Sequence, residues 1–415
     1  MSLIKNTIWN LSGYIIPSMI AIPSLGLLAR SLGPERFGLF TLAVAVIGYA
    51  SIFDAGLTRA VIREISIHKN NIEERNKIIA NSSLILLCLG FLGGMTIYLL
   101  GDNIVSLLNV DERYYNETHK AISLISLSLP FFLLNQVWLA ILEGKEEFKK
   151  VNLVKSFNSS FIAGMPALFV FFNSSLSYAV LGLVFARFLS VATTFYVCKN
   201  YVISSGFIVN RTTALRLMKY GGWITVSNII SPLMAYFDRF IIAHMMGASH
   251  VAYYTAPAEG VQRLTIFPGA LSRAVFPRLC GMYAKEEKQK QEKIALILMV
   301  IAVLPVTLLG IVYSNEIMTL WMGQAYSGLA GNILKILLIG FLFNAVAQIP
   351  FSSIQAAGLS KVTAIIHLCE LFPYLMVLYS FINHWGVMGA AIAWTLRVTV
   401  DCFILIFISK KINNR

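Results

Sequence analysis

The phrase Thr58-Arg59-Ala60-Val61 returns later in the chain as Ser272-Arg273-Ala274-Val275, a shift of 272 − 58 = 214 positions. The same shift carries Lys5 onto Lys219, Trp9 onto Trp223, Ala29 onto Ala243, Gly33 onto Gly247 and Thr41 onto Thr255. The chain therefore reads as two copies of one unit. Each copy keeps an arginine at the inner end of its second apolar span. Duplicated membrane proteins place their working sites at the seam between their copies.

Hydropathy says what each copy is made of. Of 415 residues, 57% are hydrophobic and 13% charged, and the mean hydropathy is +0.72. Soluble chains carry about a quarter charged residues. Apolar runs long enough to cross a bilayer as a helix fall at 8–29, 38–58, 80–100, 119–142, 153–172, 178–198, 221–246, 252–276, 294–313, 331–356, 362–382 and 387–409. A soluble helical solenoid would keep one polar face per helix, and these runs keep none. The first four starts, shifted by 214, land on or beside the starts of spans seven to ten. The last two pairs drift by a few residues. Six spans per copy is an even number, so both copies enter from the same side and the repeats are parallel. The expected fold is an all-α polytopic membrane protein of twelve transmembrane helices in two parallel six-helix lobes. Residues 1–198 form the first lobe, 199–219 a cytoplasmic linker and 220–415 the second lobe. Within the linker, Thr212–Lys219 reads as an amphipathic helix at the inner headgroups or a plain connection.

Charge placement sets the orientation. Inner segments carry basic clusters such as Arg59, Arg63, Lys69, Arg75 and Lys77, then Lys145, Lys149, Lys150 and Lys155. Outer segments and span edges carry Arg30, Arg36, Arg113 and Lys120. By the positive-inside rule both termini lie in the cytoplasm. This asymmetry accounts for most of the +13 net charge without nucleic acid as a partner. The run Lys285–Lys293 reads as a solvated helix extension. The first apolar run is too long for a signal peptide and reads as span one. The five cysteines are scattered, without metal or disulfide spacing. No G-x-x-x-x-G-K-[ST] loop is present, so the chain does not hold ATP in that way. No cofactor is expected. Energy would come from a proton or sodium gradient, from the substrate gradient or from a partner.

Ionisable residues inside the spans are the candidate functional groups, because each costs a few kcal/mol at mid-bilayer. The bases are Arg187, Arg239, Arg263, Arg273, Lys335 and Arg397; the acids are Asp54, Asp238, Glu259, Glu370 and Asp401. Arg263 lies 263 − 252 = 11 residues into span eight, or roughly 17 Å at 1.5 Å per residue. A guanidinium stays charged when partly buried and grips phosphate oxygens with paired bonds. Arg263 is thus the leading anion site, against an intrahelical ion pair with Glu259. Asp238 and Arg239 are adjacent and cannot face each other on one helix, so one needs a partner elsewhere; Glu259 is at a depth to pair with Arg239. Arg59 and Arg273 lie near the inner mouth with Asp54, as anchors or as a pair flanking the path. His367 and Glu370 share a face of span eleven, as a proton carrier or a buried hydrogen-bonded pair. Asp54, Asp238, Glu259, His367 and Glu370 are the candidates for ion or proton coupling.

The segment Leu28-Ala29-Arg30-Ser31-Leu32-Gly33-Pro34-Glu35-Arg36-Phe37-Gly38-Leu39-Phe40 resembles the opening of polysaccharide exporters of the Wzx type. These belong to the multidrug/oligosaccharidyl-lipid/polysaccharide (MOP) superfamily. Asp54-Ala55-Gly56-Leu57 with Arg59 and Arg63-Glu64 fits the same pattern, as does Asp238-Arg239-Phe240 through Phe276-Pro277-Arg278. The resemblance implies two six-helix lobes forming a V, working by alternating access in the bacterial cytoplasmic (inner) membrane. It implies a substrate of undecaprenyl-pyrophosphate carrying a short sugar repeat of O-antigen or capsule type. A glycan polymerase and a chain-length regulator are the implied partners. Arg30 matches the arginine that ends span one in this family, and Arg263 matches a cavity arginine position. With Arg59, Arg187, Arg239, Arg273 and Arg397 they make the expected pyrophosphate and sugar cavity. Tyr49, Tyr236 and Tyr253 could stack on sugar rings or simply pack.

Two rival classes remain. An ion-coupled multidrug extruder often places an acid in span one, and residues 8–29 contain none. A membrane glycan polymerase or ligase would need a large outer loop or clustered catalytic groups, and neither is present.

Overall fold

Helices account for nearly all of the backbone that the computed structural model describes, which is residues 3–206, 209–280, 285–357 and 359–414. No strand occurs among these residues. In order they are α1 (Leu3–Ala50), α2 (Leu57–Ile67), α3 (Ile72–Leu99), α4 (Gly101–Leu107), α5 (Glu112–Gly144), α6 (Phe148–Phe172), α7 (Leu176–Ser205) and α8 (Arg211–Met246). There follow α9 (Ala248–Leu264), α10 (Ile266–Cys280), α11 (Lys285–Val312), α12 (Ser314–Met322), α13 (Leu329–Ala356), α14 (Ser360–Trp385) and α15 (Val387–Asn414).

The repeat is visible in the backbone. α1 holds two helices joined across Gly33, whose φ of 71° and ψ of 170° break the helical path. Pro34 follows, and a proline disfavours helical backbone in the residue before it. At the 214-residue shift Gly247 takes φ 87° and ψ 170° between α8 and α9. The short helices α4 and α12 also correspond under this shift. The residues that end their turns, Asn109 at φ 49° and Gly323 at φ 103°, are likewise 214 apart.

Nine segments among the described residues are long and apolar enough to cross a membrane. Each of the twelve expected spans overlaps helix, with spans two and eight interrupted. The two counts differ partly because the continuous α1 carries spans one and two on either side of Gly33. The count of twelve stays an expectation.

Two compact units group as Met1–Ser249 and His250–Arg415. In the first, α5 packs against α3 and α7, α6 against α1 and α7, and α8 against α1, α2 and α3. Glycine brings α3 close to α5: a Cβ on Gly90 would stand 2.6 Å from Pro130 Cα, and one on Gly94 2.6 Å from the Ser126 carbonyl oxygen. Small residues at such crossings let membrane helices pack by close van der Waals contact. In the second unit α13 is central, against α10, α11 and α15, with α14 on α15.

Three local expectations change. The stretch Thr212–Lys219 is not a separate surface helix but part of the opening turns of α8. Its register is fixed by hydrogen bonds: Asn210 accepts from the Thr213 amide at 3.0 Å, and the Asn210 amide donates to Asn81 Oδ1 at 2.9 Å. By contacts α8 groups with the first unit, although the repeat assigns it to the second copy. Span eight is not one helix; it breaks at Thr265 between α9 and α10. The run Lys285–Lys293 is not wholly solvated, because Glu292 is buried and accepts hydrogen bonds from Ser353 at 2.8 Å and Ser409 at 2.7 Å. A carboxylate thus fastens α11 to α13 and α15.

Candidate functional site

Each copy interrupts its second span at the same place. In the first, α1 gives way to a 3-10 turn over Ser51–Asp54, then Ala55 at φ 48° and Gly56 at φ 69°. The shift of 214 carries Ser51 onto Thr265, the break in the second. Discontinuous membrane helices leave backbone groups without intrahelical partners, tolerated only where protein or water meets them. Thr265 satisfies part of this demand: its amide and hydroxyl both donate to the Gln262 carbonyl, at 3.3 and 2.6 Å.

Arg263 stands two residues before that break, in the last turn of α9, and is half-buried. No ion pair with Glu259 forms, and among the described residues no hydrogen bond engages its guanidinium. Glu259 has other partners. A guanidinium carries five N–H donors and no acceptor, so an anion is the kind of group it can bind.

The other expected residues fall into distinct settings. Asp54 is buried and accepts from the Thr58 amide at 3.2 Å and the Thr58 hydroxyl at 2.5 Å, so it steadies the first turn of α2. Arg30 and Arg59 are exposed, and Arg30 has a partner. Arg187 lies over the Phe132 ring at 4.6 Å, a cation–π contact. Asp238 and Arg239 are both buried with partners, and Asp238 accepts from the Arg239 amide at 2.8 Å. The Arg273 side chain lies outside the described residues, as does that of Tyr236. Tyr49 packs edge-on against Phe240 with ring centroids 5.2 Å apart, and Tyr253 against Tyr326 at 5.5 Å.

His367 and Glu370 do meet, with Nδ1 3.7 Å from Oε2. Asp401 joins them from α15: one ligand atom of each lies within 4.8 Å of the others. The sequence reading named Asp401 only as an embedded acid. Its four-residue spacing from Arg397 was the available signal for a charged face on span twelve.

Two polar groupings were not anticipated. Asn158 on α6 donates to Asn135 Oδ1 on α5 and to Thr194 Oγ1 on α7, both at 3.1 Å. Thr194 also donates to Asn135 Oδ1 at 2.6 Å. Asparagines inside apolar runs were the visible clue. At the start of α8, Arg216 pairs with buried Glu64 on α2 at 3.0 Å and with Glu74 on α3 at 3.2 Å.

Comparison with known proteins bears on this arrangement. The model of the family described as polysaccharide biosynthesis protein matches residues 3–282. A Shigella flexneri protein, whose assigned name proposes an O-antigen transporter, is 50% identical over 405 residues, covering 98% of this chain and 97% of that protein. The lipopolysaccharide biosynthesis protein WzxC of Escherichia coli (strain K12) is 22% identical, over 99% of this chain and 82% of that one. Among solved structures, an inward-facing multidrug resistance MATE family transporter of the MOP superfamily superposes with a TM-score of 0.79 at 15% identity, over 98% of each chain. The lipid II flippase MurJ in an inward closed conformation superposes with a TM-score of 0.75 at 17% identity, over 95% of this chain and 87% of that one. The fold is therefore the MATE-like fold of the MOP superfamily, and the chain belongs to the polysaccharide biosynthesis protein family.

Proposed function

We propose that this protein is a flippase that turns undecaprenyl-pyrophosphate-linked oligosaccharide repeat units, of O-antigen or capsule type, from the cytoplasmic to the outer leaflet. The observation that carries this reading is the 50% identity, over nearly the whole chain, to a relative named for O-antigen transport. The charge placement supports a bacterial inner-membrane protein with both termini in the cytoplasm.

Physical chemistry gives the residues their roles. A diphosphate-sugar head does not cross hydrocarbon unaided, because desolvating its charges costs many kcal/mol. Arg263 offers a half-buried guanidinium beside a broken helix, and it takes the pyrophosphate by paired N–H donors. Arg30, Arg59, Arg187, Arg239 and Arg273 supply further positive charge along the route. The prenyl tail stays in lipid. Alternating access moves the head without bond making or breaking, so the protein is a transporter rather than an enzyme. Its product is the substrate of a glycan polymerase with its chain-length regulator at the outer face.

Deletion of the gene tests the reading. Cells lacking it should accumulate the lipid-linked repeat unit on the inner leaflet and lose surface glycan, and re-expression should restore both. Unchanged surface glycan in the deletion strain refutes it.

A further inference from the structure

Three titratable side chains converge inside the second unit. His367 and Glu370 lie three residues apart on α14, and Asp401 reaches them from α15, with their ligand atoms within 4.8 Å of one another. Both helices are apolar enough to span a membrane. The Glu370 side chain is 11% exposed. Its Oε1 and the Oδ1 of Asp401 are shielded from solvent and lack a hydrogen-bond partner. Arg397, one turn before Asp401, rests over the Tyr374 ring at 5.0 Å.

The charge count points to a ligand. With His367 neutral, two carboxylates and one guanidinium leave one negative charge uncompensated, and a lone charge in a membrane interior is expensive. Two carboxyl groups this close do not both ionise unless a cation stands with them. One small positive charge completes the site. A divalent ion would overshoot, and hard alkali and alkaline-earth ions favour all-oxygen sites over one that includes an imidazole nitrogen.

Other charged groups on the packed helices are engaged or distant in sequence. Glu292 of α11 is held by Ser353 and Ser409. Lys335 lies in the second turn of α13, and Lys410 and Lys411 in the last turns of α15. Among the described residues the only ion pair reaching the cluster is His367–Glu370. The Phe351 ring of α13 closes one side, 5.9 Å from the imidazole.

We propose that His367, Glu370 and Asp401 form a binding site for one exchangeable proton. When loaded, the proton bridges the Glu370 and Asp401 carboxyls, and Arg397 neutralises the charge that remains. On release the proton passes to the His367 imidazole, whose side chain is 39% exposed. The use of this proton to drive glycan export rests on the flippase reading; the existence of the site does not.

Infrared titration of the purified full-length protein in lipid nanodiscs tests the site. The expected result is a protonated-carboxyl C=O band that titrates in the wild type and is lost in both Glu370→Gln and Asp401→Asn. His367→Gln should keep the band and shift its midpoint. Dicyclohexylcarbodiimide, which modifies protonated carboxyls in apolar settings, gives a check on the unmutated protein: mass spectrometry should place the adduct on Glu370 or Asp401. A band retained in both variants, or no adduct at either residue, overturns the proposal. So does a wild-type band that sodium abolishes at constant pH, which would make the occupant an alkali ion. A wild type that shows the band but moves no lipid-linked glycan refutes the flippase reading and leaves the proton site standing.

Discussion

Gly33 and Gly247 hold nearly the same backbone conformation 214 residues apart, φ 71°, ψ 170° and φ 87°, ψ 170°. This region is essentially closed to residues with a Cβ. At neither position would a Cβ meet an atom within 4 Å. The cost of Gly33→Ala or Gly247→Ala is therefore backbone strain alone, about 1–3 kcal/mol each. Thermal melting of the purified variants should show this loss; a melting point equal to the wild type would show that the turn relaxes freely.

Arg263 is the residue on which the substrate reading depends most. Arg263→Ala should abolish surface glycan while the protein remains inserted at normal levels. Arg263→Lys should restore only part of it, because an ammonium keeps the charge but loses the paired fork of donors. Surface glycan at wild-type level in Arg263→Ala cells removes the phosphate role.

The start of α8 is latched to the first unit through Glu64. This carboxylate is 3% exposed and faces Arg63 at 2.7 Å and Arg216 at 3.0 Å. Arg216→Ala leaves a buried acid short of a partner, which costs about 1–3 kcal/mol. Glu64→Gln combined with Arg216→Ala should recover part of that loss. Additive losses in a double-mutant cycle would mean that the contact contributes nothing.

Acid should weaken the first unit through Glu147, at the turn between α5 and α6. Burial works to raise this carboxyl, and bonds from Lys150 at 2.8 Å and Tyr201 at 2.6 Å outweigh it, so its pKa lies below the ordinary value. A depressed folded pKa gives stability that is fully present above the unfolded value, about 4.3. That stability is lost as pH falls through the folded value. Glu147→Gln should flatten the acid limb of stability against pH; an unchanged limb assigns acid lability to other groups.

The fold was largely legible because a bilayer forces backbone hydrogen bonds inside each span, so length and hydropathy suffice to find helices. The 214-residue shift pairs Gly33 with Gly247, and only the backbone angles show that both are helix breaks. The interruption at Thr265 was less visible, since apolar composition does not tell a continuous span from two short helices. Asp54 is one of the embedded acids the sequence offers for coupling, and only the structure shows that its oxygens accept from Thr58.

The sequence by itself determined the duplication, the helical class and the list of charges that a membrane must accommodate, because each follows from order and hydropathy along one chain. Only the tertiary structure decided which of those charges meet. Asp401 joins His367 and Glu370 across two helices, Arg216 closes on Glu64, and Arg263 meets no carboxylate among the described residues. Those outcomes depend on how neighbouring helices are rotated about their axes, which side-chain packing sets and one-dimensional spacing does not.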